Sequence, residues 1–203
     1  MAPTSTLVHV ADPMCSWCYA FGPELDQIRE RTGMSVRVVM GGLFVADRRV
    51  PLDDGLRAYL RDTWTRVSDI SGRPVSFDLL DRVTWIYDTE PACQAFVAAR
   101  LDGRSDELSV FDDMQQAFYA DGRDLTDLDV LGEVVQLPPA RLGSSEVAKA
   151  TNSDFVEAST LGAAGYPTLL IDNGDEAITV SAGFQRADRI LRTLEVLVPD
   201  AMR

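Results

Sequence analysis

The sequence DPMCSWC, residues 12–18, decides the fold of this chain. An apolar run at residues 7–11 precedes it, and an amphipathic run at residues 19–31 follows it. Two cysteines separated by two residues can form and break a disulfide bond, and a position between a strand and a helix favours redox chemistry over zinc binding. The stretch therefore predicts a strand, then a redox pair formed by Cys15 and Cys18, then a helix.

The composition argues against some classes of partner. The chain has 203 residues, 46% of them hydrophobic, which is enough for one large domain or for one domain that carries an insertion. Its net charge is -13 and its pI is about 4.4. Nucleic acids and anionic membrane surfaces attract basic proteins, so we expect neither as a partner. The sequence gives no prediction of oligomeric state.

Cysteine and histidine content argues against a metal site. The chain has three cysteines and one histidine, so a tetrahedral zinc site would have to combine Cys15 and Cys18 with His9 and Cys93. We therefore predict no metal site.

The N-terminal residues indicate the compartment. Residues 1–6 contain no basic segment, and only a strand-length apolar run follows them. We therefore expect no secretory signal, no transmembrane helix and a cytoplasmic location. In a reducing compartment a CxxC motif is more often catalytic than structural.

The hydrophobic pattern divides the chain into three parts. Residues 7–11 and 36–40 have the pattern of strands on either side of the helix that begins near Cys15. From residue 47 to residue 153 the apolar spacing is helical, with breaks at glycine and proline. After residue 154 a helix, two strands and a final helix follow. The order predicts an α/β domain interrupted by a helical insertion.

Helix geometry assigns different roles to the two cysteines. The attacking species in thiol–disulfide exchange is the thiolate. Cys15 lies at the predicted N-terminus of the helix, where unpaired backbone N–H groups and the helix dipole favour an anion. Cys18 lies one turn further along the helix and is better shielded. We therefore predict that Cys15 attacks the substrate and that Cys18 resolves the mixed disulfide.

Four further residues are candidates for binding the substrate. The Ser16 hydroxyl is placed to donate to the thiolate, and Trp17 either offers an apolar face to a protein substrate or packs on the scaffold. Tyr166 and Pro167 directly precede a buried strand, and a proline there cannot donate to the sheet. A cis bond before this proline would leave the preceding backbone free to pair with an extended peptide.

These motifs resemble those of the DsbA family of thioredoxin-fold oxidoreductases, and residues 12–18 resemble the opening of its FrnE-like, cytoplasmic branch. The resemblance covers nearly the whole chain. It implies a thioredoxin fold at residues 1–46 and 154–203, with a mixed central sheet flanked by helices, and an all-helical inserted domain at residues 47–153. It also implies that Cys15 attacks, that Cys18 resolves and that Pro167 is a cis-proline facing them. The redox-active disulfide would then be the only cofactor.

Two residues leave alternatives open. His9 lies where this family has a buried acid, so it is either a proton acceptor for Cys18 or, as we favour, a packed and satisfied side chain. Cys93, in the predicted insertion, is either a third redox thiol facing Cys15 or, as we favour, a small buried hydrophobic residue.

Three functions compete. The leading interpretation is a thiol–disulfide oxidoreductase or isomerase that acts on protein or peptide thiols and disulfides, with glutathione as a further partner. The second is a glutathione-dependent transferase or isomerase of the kappa or 2-hydroxychromene-2-carboxylate isomerase type. Enzymes of that type activate glutathione with a single serine and need no CxxC motif. The third is a holdase without catalytic activity.

Overall fold

The computed structural model describes residues 5–104, 106–174 and 176–199. Four strands form the central sheet in the order β2-β1-β5-β6. They are β1 (Thr6–Ala11), β2 (Val36–Met40), β5 (Thr168–Asp172) and β6 (Ala177–Ala182). β1 pairs in parallel with β2 and antiparallel with β5, and β5 pairs antiparallel with β6. The sheet is therefore mixed, as predicted.

β1 lies inside the sheet, and the side chains on both of its faces are buried. Val8 and Val10 pack with Val39, Leu170 and the helix residue Ala158 on one face. Side chains alternate along a strand, so Leu7 and His9 point to the opposite face.

Helices cover both faces of this sheet. Helices α1 (Ser16–Thr32) and α8 (Ala187–Leu197) pack together on the face that carries Leu7, and α7 (Ser145–Thr160) packs on the other face. α1 ends at Gly33, whose φ of 65° is a left-handed conformation that favours glycine. No helix in the described part of the chain is long and apolar enough to cross a membrane.

The middle of the chain is helical. It contains α2 (Asp54–Ser71), α3 (Glu90–Leu101), α4 (Glu107–Gln115), α5 (Leu128–Val135) and α6 (Pro139–Leu142), with short 3₁₀ turns at Ala46–Arg48 and Asp78–Asp81. A short antiparallel ladder joins β3 (Val50–Pro51) to β4 (Ile86–Tyr87), which the sequence analysis did not predict. Aromatic rings fill the core of this region: Trp64, Phe77, Trp85, Tyr87, Phe118 and Tyr119.

Several helix boundaries differ from the prediction. α7 is continuous from Ser145 to Thr160, where two shorter helices were expected, because no glycine or proline interrupts it. It therefore crosses the predicted domain boundary between residues 153 and 154, and that division remains a proposal. After α4 the chain continues as a π-helical turn, Gln116–Ala120, and the side chain of Asp127 caps α5.

Candidate active site

A tight turn sets the start of α1 at the two cysteines. The backbone N–H of Cys15 donates to the Asp12 carbonyl at 3.0 Å, and the N–H of Met14 donates to the Asp12 carboxylate at 2.9 Å. Cys15 has extended backbone angles and its carbonyl accepts the N–H of Tyr19, so it is the N-cap residue of α1. Its side chain therefore lies at the positive end of the helix dipole.

The structure shows both cysteines of the motif as thiols. Cys15 is 5% exposed and Cys18 is fully buried. Burial raises the pKa of Cys18 well above its ordinary value, and the neighbouring Cys15, through a hydrogen bond and its charge, raises it further. Cys18 therefore carries its proton at neutral pH and must lose it before it can attack a disulfide.

The loop before β5 faces Cys15. The Tyr166–Pro167 peptide bond is cis, and the Cys15 thiol lies 3.6 Å from the Tyr166 carbonyl oxygen, within hydrogen-bonding distance for sulfur. The Tyr166 hydroxyl donates to the carbonyl of Gly41 at 2.5 Å. Its ring covers Gly41 so closely that a Cβ atom there would lie 2.0 Å from the ring. Gly41 is therefore required for the position of Tyr166.

Ser16 and Trp17 form the partly exposed rim beside Cys15. The Trp17 ring lies 5.9 Å from the ring of Phe184, and the guanidinium of Arg66 lies 5.9 Å from the Trp17 ring centre. Trp17 therefore packs on the scaffold and still leaves part of its surface to solvent. Four of the other five predicted site residues, Ser16, Trp17, Tyr166 and Pro167, lie beside Cys15 in the chain or in the loop that faces it, and Cys18 is buried one turn further along α1.

Asp12 has a role in the site that no local motif predicted. Its side chain is fully buried, and one carboxylate oxygen accepts the N–H of Leu43 at 2.7 Å, the Thr89 hydroxyl at 2.7 Å and the Cys93 thiol at 3.6 Å. Burial raises the pKa of Asp12, and the hydrogen bonds it accepts oppose that rise. Thr89 precedes α3 directly and Cys93 lies in its first turn, so the Asp12 carboxylate joins the turn before Cys15 to α3.

Cys93 acts as a donor in this network. It is fully buried, and burial, with the Asp12 carboxylate beside it, raises its pKa well above the ordinary value. The thiol therefore stays protonated and hydrogen-bonds to Asp12. It is a buried residue, as we favoured, but it also has a polar partner.

Two tyrosines of the middle region fix the carbonyl group just before Cys15. The hydroxyls of Tyr87 and Tyr119 both donate to the Met14 carbonyl oxygen. Burial raises the pKa of both phenols well above the ordinary value, so both remain neutral donors. Nothing local in the sequence indicated this contact, because the tyrosines lie in β4 and in the π-helical turn.

His9 departs from the interpretation that we favoured. It packs between Phe21 and Phe111, at ring-centre distances of 5.5 Å and 5.7 Å, and is 1% exposed. Both of its ring nitrogens, however, lack a hydrogen-bond partner among the described residues. Burial lowers the pKa of His9 to about 3, so the ring is neutral at physiological pH. The side chain is packed but not satisfied.

Comparison with known proteins shows distant similarity. No family model matches the chain. The ClpXP adapter protein SpxH of Bacillus subtilis is 23% identical in an alignment of 191 positions that covers 85% of this chain and 61% of that protein. The match thus spans less than two thirds of the curated relative.

Solved structures resemble the whole chain. A provisionally named protein disulfide isomerase from Nitrosomonas europaea is 27% identical, with a TM-score of 0.85 over 97% of this chain and 98% of its own. The cytosolic disulfide reductase DsbM of Pseudomonas aeruginosa is 25% identical, with a TM-score of 0.71 over 96% and 98%.

Two more distant structures share the fold. DsbA of Xylella fastidiosa is 18% identical, with a TM-score of 0.59 over 98% of this chain and 86% of its own. A 2-hydroxychromene-2-carboxylate isomerase is 13% identical, with a TM-score of 0.60 over 95% and 94%. The structural neighbours thus include DsbA-like thiol–disulfide oxidoreductases, and the chain has the DsbA-like thioredoxin fold, a mixed central sheet flanked by helices and interrupted by a largely helical insertion.

Proposed function

We propose that the chain is a dithiol–disulfide oxidoreductase of the FrnE-like, cytoplasmic branch of the DsbA family. One observation carries the proposal. The Cys15 thiol lies at the N-terminus of α1, 3.6 Å from the Tyr166 carbonyl beside Pro167, and Cys18 lies one turn deeper. This arrangement gives an attacking sulfur that is partly exposed and a second, buried sulfur one turn further along the same helix.

The exchange proceeds in two steps. The Cys15 thiolate attacks one sulfur of a substrate disulfide, forms a mixed disulfide and releases the other substrate sulfur as a thiolate. Cys18 then loses its proton and attacks the Cys15 sulfur. A disulfide forms between Cys15 and Cys18 as the remaining substrate thiolate leaves, and both departing thiolates take up protons from solvent. The pair itself is the redox-active centre and requires no other cofactor.

Protein and peptide disulfides fit the surface around Cys15. An extended peptide would pair with the backbone at Tyr166 and Pro167, and its side chains would contact the partly exposed Ser16 and Trp17. Glutathione is a further partner, since the neighbour DsbM has also been solved with glutathione. The name of that neighbour, a cytosolic reductase, also supports a cytoplasmic location for this chain.

The two-part division of the chain remains part of this proposal. Residues 1–46 and 154–203 would form the thioredoxin-fold domain, and residues 47–153 the inserted domain that covers the dithiol. The hydrogen bonds from Tyr87, Thr89, Cys93 and Tyr119 to the turn before Cys15 support a positioning role for the insertion.

Insulin reduction with dithiothreitol as the reductant tests the proposal. We expect activity from the unmodified chain, and none from Cys15→Ser, because the attacking sulfur is missing. The control is Asp113→Asn, at an exposed position on α4 away from the site, and it should keep full activity. Full activity in Cys15→Ser would contradict the proposal.

The glutathione-dependent isomerase remains a second candidate because a structure of that class shares the fold. In that case Ser16 would activate glutathione, and turnover of a small electrophile would survive the change Cys18→Ala. The adapter function named for SpxH supports the third interpretation, a binding protein without catalysis. Partner binding or holdase activity that is unchanged in Cys15→Ser, together with no insulin reduction by the unmodified chain, would favour it.

A further inference from the structure

A cavity of about 230 Å³ lies behind Cys18, between α1 and α4. Its inner wall includes the buried residues Cys18, His9 and Gln115. Its outer wall is charged and exposed to solvent, and comprises Asp26, Arg29, Asp106 and Asp112. The cavity therefore connects the resolving thiol with the surface between α1 and α4, and its lining includes none of the candidate substrate-binding residues Ser16, Trp17, Tyr166 and Pro167.

The inner wall carries polar groups without partners. Both ring nitrogens of His9 and the side-chain nitrogen Nε2 of Gln115 lack hydrogen-bond partners among the described residues. Buried polar groups in native proteins nearly always have a partner, either protein or ordered water. A cavity of this size has room for several water molecules, and a polar lining is what retains them. The two side chains thus mark this cavity as a water site.

Cys18 needs a route for its proton. The proposed exchange requires a thiolate at Cys18, and burial holds that thiol in its protonated form. The substrate covers Cys15 during the mixed-disulfide step, so that the proton must leave on another side. The cavity is the opening that reaches Cys18 from the α4 side.

We propose that the cavity is a water-filled proton path in which His9 relays the Cys18 proton to solvent and Gln115 positions the water. The inference rests on the dithiol exchange proposed above. It assigns His9 a role in moving the proton at Cys18 and assigns Gln115 a positioning role.

The relay moves one proton from Cys18 to solvent. The Cys18 thiol gives its proton to a cavity water, which gives a proton to the free ring nitrogen of His9. The opposite N–H of the imidazole gives its proton to the next water and so to solvent. The Cys18 thiolate then forms its bond to the Cys15 sulfur while the bond between Cys15 and the substrate breaks, and the departing thiolate takes a proton from solvent.

His9 is suited to passing a proton on rather than to remaining protonated. Its pKa of about 3 means that it does not keep a proton, but a neutral imidazole has one donor and one acceptor nitrogen and can pass a proton through. The charges that face the cavity are Asp26 and Arg29 from α1, and Asp106 and Asp112 around α4, with Arg73 paired to Asp112. Burial raises the pKa of Asp26, which therefore accepts a proton at the mouth more readily than an ordinary aspartate.

A rapid-mixing experiment with dithiobis(nitrobenzoate) tests the relay. Attack of Cys15 on the reagent releases the first thionitrobenzoate at a rate proportional to reagent concentration. Attack of Cys18 on the resulting mixed disulfide releases the second at a rate independent of that concentration. The two phases therefore report the two cysteines separately.

His9→Phe should slow the second phase by about 100-fold at neutral pH, the lower end of what general acid–base catalysis contributes, and leave the first phase unchanged. Its second phase should then rise in proportion to hydroxide concentration, because hydroxide has to remove the proton. Phenylalanine keeps the aromatic packing between Phe21 and Phe111. A second phase with unchanged rate and unchanged pH dependence would overturn the relay.

Gln115→Met provides an independent variant that removes the amide. It should slow the second phase alone, whereas the matched control Gln94→Met, on α3 and outside the cavity, should change neither phase. If His9→Phe does not fold, Gln115→Met decides: an unchanged second phase would overturn the water path. Absence of the first phase in the unmodified chain would instead contradict the proposed function.

Discussion

Asp12 is the residue on which the geometry of the site depends most. As a carboxylate it accepts hydrogen bonds from the backbone at Met14 and Leu43 and from the side chains of Thr89 and Cys93. A buried carboxylate is costly unless such donors surround it. The four donors come from the turn itself, the loop after β2 and the start of α3, so one side chain fixes the mutual positions of three segments.

Asp12→Asn should destabilise the fold by about 1–3 kcal/mol, because the amide nitrogen cannot accept and at least one buried donor loses its partner. The measurement is urea unfolding at neutral pH, with Asp113→Asn as the control. The exposed control should change stability by less than about 0.5 kcal/mol. Equal midpoints for the two variants would show that the Asp12 network does not contribute.

His9 makes the stability of the fold depend on pH. Its pKa is about 3 in the folded state against 6.5 as the ordinary value, so between these values the unfolded chain binds the proton and the folded chain does not. The stability that comes from keeping His9 neutral is thus complete above pH 6.5 and is lost as pH falls toward 3, at about 1.4 kcal/mol per pH unit.

His9→Phe should remove this part of the pH dependence. Between about pH 6 and pH 4 the unmodified chain should lose more stability than the variant. Urea unfolding of both proteins over this pH range gives the difference directly, because the other titrating groups are common to both. Parallel curves would mean that the folded chain accepts a proton on His9 without cost.

At the scale of elements, the site is formed where α1 begins and where the loop before β5 returns to it. Gly41, at the end of β2, supports that loop, since its missing side chain leaves room for the Tyr166 ring. Gly33, in a left-handed conformation, ends α1. The π-helical turn carries Tyr119 and begins directly after Gln115, the last residue of α4. A π-helical turn within an α-helical segment is frequent at functional sites.

Gly41→Ala should displace Tyr166 and with it the loop that faces Cys15. A Cβ atom 2.0 Å from the ring forces a movement, and overpacking of this kind typically costs about 1–3 kcal/mol. We expect lower stability and slower insulin reduction. The matched control is Gly165→Ala, in the loop that carries Tyr166, where no atom lies within 4 Å of the added Cβ. It should change neither the stability nor the rate of insulin reduction. Equal activity in the two variants would contradict the importance of the Tyr166 contact.

At the scale of the whole molecule, local signals gave the sheet, the ends of α1 and the pair of cysteines. The alternation of residues 36–40, Pro13 before the helix and Gly33 after it are each legible without knowing the rest of the chain. The cis bond before Pro167 followed from the resemblance rather than from a local signal. The contacts of Asp12 with Thr89 and Cys93, and those of Tyr87 and Tyr119 with Met14, were not predictable, because they join segments more than 70 residues apart in the sequence.

The misplaced boundaries have physical reasons of the same kind. No glycine or proline interrupts residues 145–160, so the sequence allows the single helix that is observed, but it does not indicate that this helix packs against the sheet through Ala158. His9 has two unpartnered nitrogens and shares a cavity with Gln115 from α4 and Cys18 from α1. This arrangement depends on the tertiary fold, so the sequence did not indicate it. Periodicity indicates which face of an element is buried, but it does not indicate which polar groups that face will contact.

The central claim is tested most directly by mass spectrometry of the mixed disulfide. Cys18→Ala incubated with glutathione disulfide should retain one glutathione on Cys15, because no second sulfur resolves the bond, and the unmodified chain should end with a disulfide between Cys15 and Cys18. A stable glutathione adduct on Cys93 instead of Cys15, or none at all on the Cys18→Ala variant, would contradict the account.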